Sequence, residues 1–478
     1  MKFVRLLGLY VIAAVLPLVA VDWSELPLPA GPDSDTPSLA RSQDGNVYVS
    51  WTTTEDDQHA LWISRFDRES KGWQTAVRIA HGLNWFINWA DNATITTGLR
   101  GRVAAVWYAH NADAGYHAVV STSADHGQTW SSPRPLSTES DRTEFVSFVP
   151  LLNGSWLAVW LDNRARESSG SMQLRSRIIG SAEPDTLVDN RVCDCCPIST
   201  LVLPNGSVLA AYRDRSDSEV RDIAYQSFSR GNWSEAIAPV QDNWVIEGCP
   251  VNGASLSRRN GHVATAWFTG ANNTSQVMTA RSHNLGRSWN LVARLDDPEH
   301  PAKGSANSTV LRDGSQWVSW IEEGGTMALR ALARDGGLSR INRMPGKSGG
   351  KPSMVVLTNN SNEAAQLLVA RVETDGVKTR IASIPSETTT TLDDCSCDAE
   401  ARGHAVQGKI VKVLRGRSAL LVAHEEVPGV MMAMTMSFQV DPRVLDLVKT
   451  DQTIVARMER RDDGKWWLFS IQIQNLAN

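Results

Sequence analysis

Gln43–Trp51, QDGNVYVSW, decides the fold, because a tight turn followed by a β-rich segment ending in an aromatic residue recurs along the chain. The recurring segments end at Trp51, Trp107, Trp160, Tyr212, Trp267 and Trp320, with a degenerate copy ending at Ala370. Subtracting these numbers gives a period of 50 to 56 residues, and another β-rich segment precedes each turn. A strand–turn–strand unit at this period predicts a β-propeller with one blade per repeat. We therefore expect an all-β fold with seven blades favoured, six remaining open because the last copy is weak.

Length and charge bound the class of protein. A chain of 478 residues is too long for one ordinary globular core, so we expect two domains or a large repeat fold. Its net charge of -5 argues against nucleic acid as a main partner. The recurring segments predict that the propeller occupies residues 35–385.

The N-terminus has the pattern of an export signal. Lys2 and Arg5 precede an apolar run from Leu6 to Val21 that Pro17 interrupts, which predicts a signal peptide over residues 1–21. The run is short for a membrane span, and an uncleaved anchor is the alternative. The mature protein is expected to be periplasmic or secreted, in an oxidising compartment where cysteines tend to be bridged or metal-bound.

Two loops carry a sharper motif. Ser123–Trp130, SADHGQTW, fits the pattern S-x-D-x-G-x-T-W, and Ser282–Trp289, SHNLGRSW, is a second copy with Asn for Asp. In such a turn Asp or Asn caps the backbone, Gly takes a positive φ and Trp packs underneath. The motif resembles the Asp-box of sialidases and related propellers, where it lies on the periphery. It therefore identifies the blade and carries no catalytic role.

A further resemblance concerns the middle of the propeller. The segments RVCDCC (Arg191–Cys196), YRDRS (Tyr212–Ser216), RDI (Arg221–Ile223) and GCPVNG (Gly248–Gly253) resemble a pattern found in exported sialidase-like proteins of bacteria. The resemblance supports the fold and the location only. An alternative to a copper function is a sialidase-like glycoside hydrolase, or a glycan-binding propeller, with an accessory metal domain.

Sialidase chemistry needs three arginines on the substrate carboxylate, a Tyr nucleophile with a Glu partner, and an Asp acid/base. The available candidates are Arg164, Arg213, Arg215, Arg221, Tyr212 and Tyr225. Nothing in their spacing defines an arginine triad, and neighbouring Arg and Asp residues more often form ion pairs. The fold alone does not imply the activity, so we assign no catalytic residue.

Four cysteines cluster in the propeller. They are Cys193, Cys195, Cys196 and Cys249. Aligning the repeats predicts that Cys196-Pro197 and Cys249-Pro250 lie side by side at one mouth of the central channel. Three interpretations remain open: a structural disulfide from Cys249 to one of the other three, a thiolate site for Cu(I), and a redox or nucleophilic cysteine with a lowered thiol pKa. The spacing is not that of a zinc ribbon.

A polar, Thr-rich segment, residues 386–403, is expected to be the linker between two domains. It contains Cys395 and Cys397 in a C-x-C arrangement. A disulfide between the two cysteines of such a pair would close an unfavourably small ring, whereas two nearby thiolates chelate a soft metal well. The pair is therefore a candidate ligand site. The alternative is a disulfide to another cysteine, or two thiols without a role.

The segment His424–Phe438, HEEVPGVMMAMTMSF, concentrates soft ligands near the C-terminus. Its methionines are Met431, Met432, Met434 and Met436. Thioether sulfur binds Cu(I) and Ag(I) well and hard cations poorly. The simpler interpretation is a barrel core, because Met434, Met436, Phe438 and Val440 would share one face of a strand.

The region 404–478 resembles the small periplasmic copper-binding domains of the CusF type, the metallochaperones of copper and silver efflux. Five apolar runs in it match the five strands of their OB-like barrel, and His424, Met434 and Met436 match their ligand motif. Met431 departs from the pattern, because it stands about where the family has a metal-capping Trp. The resemblance implies Cu(I) or Ag(I) bound by His424, Met434 and Met436, with Met431 or Met432 assisting.

Together these observations predict an exported copper-handling protein. The Cys cluster and the linker pair would donate or accept copper, and a periplasmic copper acceptor or efflux protein would be the partner. A glycan ligand belongs to the alternative function.

Overall fold

The computed structural model describes residues 21–474 except 112–114, 141, 260–261, 335, 359–363, 385–403, 428–429, 441–444, 446–447 and 461–463. The predicted signal peptide, apart from Val21, and the linker cysteines Cys395 and Cys397 lie outside the described residues. The chain divides into two compact units, residues 1–388 and 389–478. In the described part, no helix has the length and apolar character needed to cross a membrane.

The first unit is built almost entirely from short strands. Its first fourteen strands are β1 (Trp23–Leu26), β2 (Ser34–Arg41), β3 (Val47–Glu55), β4 (Gln58–Asp67), β5 (Gly72–Trp73), β6 (Val77–Gly82), β7 (Thr94–Thr97), β8 (Val103–His110), β9 (Tyr116–Ser123), β10 (Arg134–Pro135), β11 (Thr143–Pro150), β12 (Trp156–Asp162), β13 (Met172–Ile178) and β14 (Thr186–Val192). The remaining fifteen are β15 (Ser199–Val202), β16 (Val208–Arg213), β17 (Ile223–Ser229), β18 (Asn232–Trp233), β19 (Ala254–Arg259), β20 (His262–Thr269), β21 (Gln276–Ser282), β22 (Asn290–Arg294), β23 (Ala302–Val310), β24 (Gln316–Glu322), β25 (Thr326–Leu332), β26 (Asn342–Lys347), β27 (Gly349–Thr358), β28 (Ala365–Glu373) and β29 (Gly376–Ile384). One α-helical turn, α1 (Arg166–Ser169), and one 3-10 turn (Ala271–Asn273) interrupt them.

Within the described residues these strands form seven antiparallel sheets, which we number in chain order. Sheets 1 to 6 begin at β2, β7, β11, β15, β19 and β23, and sheet 7 begins at β27. The first strand of each sheet contacts the first strand of the next, and β27 returns to contact β2. Many small antiparallel sheets in cyclic contact are consistent with the predicted propeller, and the weak repeat ending at Ala370 supplies a sheet of its own.

The N-terminal strand β1 completes sheet 7, a feature that the repeat pattern did not predict. It pairs antiparallel with β29, so that Trp23 lies opposite Ala382. The sheet order is therefore β1-β29-β28-β27, with its outer strand coming from the other end of the unit. Pairing the two ends of the first unit satisfies the free edge of β29.

The recurring aromatic residues all lie in the second strand of their sheets and are buried. Each packs on the sheet before it. Trp160 of sheet 3 belongs to the apolar cluster of Val106 and Ala118 in sheet 2. Trp51 of sheet 1 packs in the cluster of Leu368 in sheet 7. The predicted packing role between repeats therefore agrees with these clusters.

The loop Ser123–Trp130 has the hydrogen bonds that the motif predicts. Asp125 Oδ1 accepts hydrogen bonds from the Ser123 hydroxyl at 2.7 Å and the Thr129 amide at 2.9 Å. Gly127 has φ of 83°, which a residue with a Cβ adopts only with strain. Trp130 Nε1 donates to the Gly127 carbonyl oxygen at 2.9 Å. These contacts are internal to the turn, in accordance with a structural role.

The second unit is a closed five-stranded barrel in the order β30-β31-β32-β34-β33. Its elements are β30 (His404–Leu414), a 3-10 turn (Arg415–Arg417), β31 (Ala419–His424), β32 (Met434–Gln439), β33 (Thr453–Arg460) and β34 (Trp466–Gln474). Each of the five apolar runs noted in this region of the sequence overlaps one of these strands. Ile410, Leu420, Phe438 and Ile454 fill the core.

We expect Trp160→Ala to lower the free energy of unfolding of the first unit by about 3–5 kcal/mol, because it removes a fully buried ring between two sheets. Urea unfolding followed by circular dichroism measures this. Trp89→Ala is the matched control, since Trp89 is 52% exposed and its loss should change stability by less than about 0.5 kcal/mol. Equal effects of the two substitutions would contradict the inter-sheet packing role.

Candidate metal centres

The hairpin of β31 and β32 brings His424 and two methionines onto one face. His424 lies directly opposite Met434, and Val422 lies opposite Met436. Because side chains alternate along a strand, positions 422 and 424 share a face with 434, 436 and 438. Side chains opposite each other in an antiparallel pair have Cβ atoms about 4.5–5.5 Å apart. The register therefore gathers the imidazole and both thioethers at one end of the barrel.

The orientation of the His424 ring leaves one nitrogen available. Nδ1 lies 2.7 Å from the backbone carbonyl oxygen of Glu425, which can only accept, so Nδ1 carries the proton. Nε2 then has a free lone pair. It is buried and has no hydrogen-bond partner among the described residues. An orphaned acceptor nitrogen in a buried ring costs free energy unless it binds something, and a neutral imidazole nitrogen fixed by a carbonyl is the usual form of a metal ligand.

The methionines differ in exposure along the face. Phe438 and Val440 are fully buried, Met436 is half-buried against the core, and Met434 is 52% exposed. The core interpretation accounts for the first three residues. It does not account for Met434, whose thioether lies at the rim where an apolar core has ended. Met434 and His424 line the same cleft.

Met431 and Met432 occupy different environments. Met431 is half-buried against the core, and its backbone exchanges two hydrogen bonds with Val427, at 2.9 and 3.1 Å. Met432 is 76% exposed. Of the two, Met431 therefore has the burial and the fixed backbone that an assisting ligand needs.

Gly408 in β30 is a site residue that the motif did not reveal. It pairs with His424, and a Cβ at this position would lie 2.6 Å from the Ala423 carbonyl oxygen and 2.7 Å from His424 Cα. Only glycine lets β30 approach this closely beside the histidine. A glycine inside a strand pattern is the signal that could have indicated it.

In the first unit, Cys195 and Cys249 form a disulfide with Cα atoms 6.1 Å apart. This is one of the three interpretations that the sequence left open. In this state their sulfurs are not thiolates, so the four-sulfur ligand set is not assembled. Ser199 and Ser255 hold equivalent positions in β15 and β19. Cys249 is farther from Ser255 along the chain than Cys196 is from Ser199, so the two Cys-Pro pairs are not at equivalent positions.

Cys193 and Cys196 keep free thiols. Their Sγ atoms are 3.0 Å apart, and Arg221 Nη1 lies 3.4 Å from Cys193 Sγ. The hydrogen bond from Cys196, with help from the Cys195 amide and the nearby guanidinium groups, lowers the pKa of Cys193 to about 6. Burial and the Cys193 sulfur raise the pKa of Cys196 well above its usual range. Of the two thiols, Cys193 is therefore the more acidic.

Hydrogen bonds fix the CDCC segment. Asp194 Oδ1 accepts from the Met172 amide at 2.9 Å, and Arg215 Nη1 lies 3.3 Å from the same atom. The Cys193 amide donates to the Arg213 carbonyl oxygen at 3.0 Å. The positions of the two thiols are thus set by the backbone around them.

A small cavity of about 130 Å³ adjoins this segment, at the first strands of sheets 4 to 6. Pro197, Asn252, Ser305 and Lys351 line it, with the exposed ring of Trp89. Ligand sites for organic molecules are usually about 300–1,000 Å³, so the enclosed space suits a smaller ligand.

The arginines proposed for a substrate carboxylate are already engaged. Arg213 is 1% exposed, and its guanidinium donates to the carbonyl oxygens of Asn252, Arg221 and Phe268 at 2.8, 2.6 and 2.7 Å. Arg164 pairs with Asp162, Asp185 and Glu139. Arg215 pairs with Glu219 and Asp194, and Arg221 pairs with Glu219. These contacts are structural ion pairs and carbonyl contacts.

Tyr212 and Tyr225 are buried, and burial raises the pKa of each above its usual range. The Tyr212 hydroxyl donates to Asp189 at 2.6 Å. A tyrosine nucleophile needs access and a lowered pKa, so neither residue suits the role.

These features define a protein with an all-β repeat unit and a small barrel that presents soft neutral ligands. Residues 403–473 match the family described as copper binding periplasmic protein CusF. The chain thus carries a CusF-like domain at its C-terminus. No curated protein matches the chain at a significant level.

Several solved structures are similar to this chain over about three quarters of its length. The BP39L lectin from Burkholderia pseudomallei is similar with a TM-score of 0.53 at 12% identity, over 74% of this chain and 97% of the lectin. An α-L-arabinanase of Penicillium chrysogenum gives a TM-score of 0.44 at 13% identity, over 76% and 98%. A polysaccharide lyase, an ulvan lyase, gives 0.45 at 14% identity, over 75% and 93%. At such identities the likeness to the lectin shows the fold alone.

We expect Asp91→Asn to stabilise the protein more at about pH 8 than at about pH 5. Burial raises the pKa of Asp91 to about 7, although the Phe145 amide donates to it at 2.9 Å. The folded state therefore binds the proton more tightly than the unfolded state, and this contribution to stability is lost as pH rises from about 4 to 7. Asp91 interacts, through hydrogen bonds or charge, with four other titratable groups: Tyr108, Tyr116, Glu144 and Lys351. Melting temperatures of the variant and the parent, compared between about pH 5 and about pH 8, measure this difference in stability.

Asp125→Asn is the control for this experiment, because hydrogen bonds hold the pKa of Asp125 at about 2 and it titrates below the range tested. Its difference from the parent should stay constant. A constant difference for Asp91→Asn as well would show that Asp91 is ionised throughout.

We expect Cys249→Ser to lower the free energy of unfolding of the first unit by about 2–4 kcal/mol, because the disulfide closes a loop of 54 residues in the unfolded chain. Urea unfolding measures the loss. A reducing agent should lower the parent to the level of the variant and leave the variant unchanged. Unfolding curves that coincide without reductant would mean that the bond does not form.

Proposed function

We propose that the protein is an exported copper-handling protein whose barrel binds Cu(I) through His424 Nε2, Met434 and Met436. The observation that carries this proposal is the buried Nε2 of His424, which has no hydrogen-bond partner among the described residues and lies beside a rim methionine. The match of residues 403–473 to a copper-binding family supports copper as the cargo. Ag(I) is the second ion with the same preference for soft ligands.

The ligand set favours a monovalent ion. One imidazole and two or three thioethers are all neutral, so they do not compensate the charge of a bound cation. The cost of holding an uncompensated charge in a partly buried site rises with that charge, which favours Cu(I) over divalent ions. Met431 is proposed as the third thioether, in place of the aromatic cap that the family resemblance implies.

We further propose a seven-bladed propeller joined to an OB-like barrel, and export by the N-terminal segment. Support for the blade count comes from seven sheets in cyclic contact among the described residues. Support for export comes from the Cys195–Cys249 disulfide, since disulfides persist in oxidising compartments. A periplasmic copper acceptor or efflux protein is the proposed partner. The linker thiols Cys395 and Cys397 remain proposed ligands for copper in transit.

The glycan alternative gains no support from the residues offered for it. The four arginines are engaged and the two tyrosines are buried and protonated. A glycan ligand for the propeller would have to use other residues.

We expect His424→Ala with Met434→Ala in the full chain to weaken Cu(I) binding at the barrel by more than about 100-fold. Loss of two ligands should exceed the 10–100-fold loss typical of a change outside the ligand set. Anaerobic competition against a chromogenic Cu(I) chelator measures the affinity.

Met432→Ala is the matched control, because Met432 is a nearby methionine that is 76% exposed. Its Cu(I) affinity should equal that of the parent. An unchanged affinity of the double variant, with circular dichroism showing an intact fold, would reduce the methionine face to barrel core.

A further inference from the structure

Cys193 and Cys196 form a pair of buried thiols that the barrel site does not use. They are 1% and 2% exposed, and their Sγ atoms are 3.0 Å apart. Cys195 Sγ lies within 4.8 Å of both but belongs to the disulfide with Cys249. Because Cys195 is bridged to Cys249, the thiols of this cluster that can bind a ligand are those of Cys193 and Cys196.

Positive charge surrounds this pair. Arg221 Nη1 lies 3.4 Å from Cys193 Sγ and is shared with Glu219. Arg213, held over the Trp244 ring, and Lys351 add positive charge that acts on the sulfurs. Buried charge in a protein persists only where opposite charge or hydrogen bonds compensate it. These cations therefore suit one net negative charge on the two sulfurs.

We propose that Cys193 and Cys196 bind one soft monovalent cation, such as Cu(I), as a two-thiolate site separate from the barrel. In the binding step the two sulfurs each form a bond to the ion, and any proton that a sulfur carries leaves to solvent. No electron is transferred. Two thiolates and one monovalent ion give the complex a net charge of -1, which the surrounding cations balance.

Other occupants fit less well. Zinc sites are usually four-coordinate, and two thiolates beside a disulfide do not provide four ligands. Calcium and magnesium need oxygen ligands. Exchange with a bulky external thiol requires access that the burial of both sulfurs denies, whereas a bare ion is small. Oxidation of the pair to a second disulfide is the competing outcome that the test detects.

The test uses the full chain without the linker cysteines and without two of the barrel ligands, by His424→Ala, Met434→Ala, Cys395→Ser and Cys397→Ser. Anaerobic Cu(I) titration of this variant should give one bound copper, and X-ray absorption should give two sulfur neighbours. Adding Cys196→Ser should abolish the binding. Because the barrel has lost His424 and Met434, copper at the thiol pair is measured apart from the barrel site, and failure of this site and failure of the proposed function are distinguishable.

The matched control restores Cys395 and Cys397, and the copper bound by Cys193 and Cys196 should keep the same affinity. If Cys196→Ser does not fold, alkylation with peptide mapping on the unsubstituted pair replaces it, and Cu(I) should protect Cys193 and Cys196. The proposal is overturned by absence of copper on the four-substitution variant, by three sulfur neighbours, by alkylation of both cysteines despite copper, or by a Cys193–Cys196 disulfide in protein isolated anaerobically.

Discussion

The packing of each sheet against the one before it is the constraint on which the larger unit depends. A sheet of four short strands cannot bury both faces alone, so its stability comes from the aromatic ring that the next sheet places upon it. Trp51 against the cluster of Leu368 makes this relation cyclic, and β1 pairing with β29 adds main-chain hydrogen bonds between the first and last sheets. Without both contacts, the first and last sheets would each expose an apolar face.

The same constraint explains why cysteines distant in sequence meet. Cyclic packing directs the first strand of every sheet inward, so the segments that enter β15 and β19 come together. Cys195 and Cys249 lie in those segments and are joined there. The neighbouring Cys193 and Cys196 are buried there, near Arg213 and Arg221 of sheet 4.

Much of the fold could be predicted because it is periodic. The turn and aromatic pattern gave the sheets, and the alternation in Met434–Phe438 gave the face shared with His424. Other features depend on contacts between segments far apart in sequence. Periodicity did not assign β1 to the last sheet. Repeat alignment left the disulfide partner of Cys249 open among the three cysteines of the CDCC segment, and the structure pairs it with Cys195. Gly408 and the orphaned Nε2 of His424 required the register of β30 against β31.

The two proposed copper sites differ in the property that governs exchange. Met434 lies half in solvent at the barrel rim, so one ligand of that site can be displaced by an incoming donor without unfolding. Its neutral ligands also hold the ion without charge attraction, which keeps dissociation accessible. The thiolate pair has the opposite character, because both sulfurs are buried and charged partners stabilise the anionic complex. A neutral, exposed set suits transfer and a buried, anionic set suits retention. A chain with both would therefore separate delivery of copper from its storage by ligand chemistry alone.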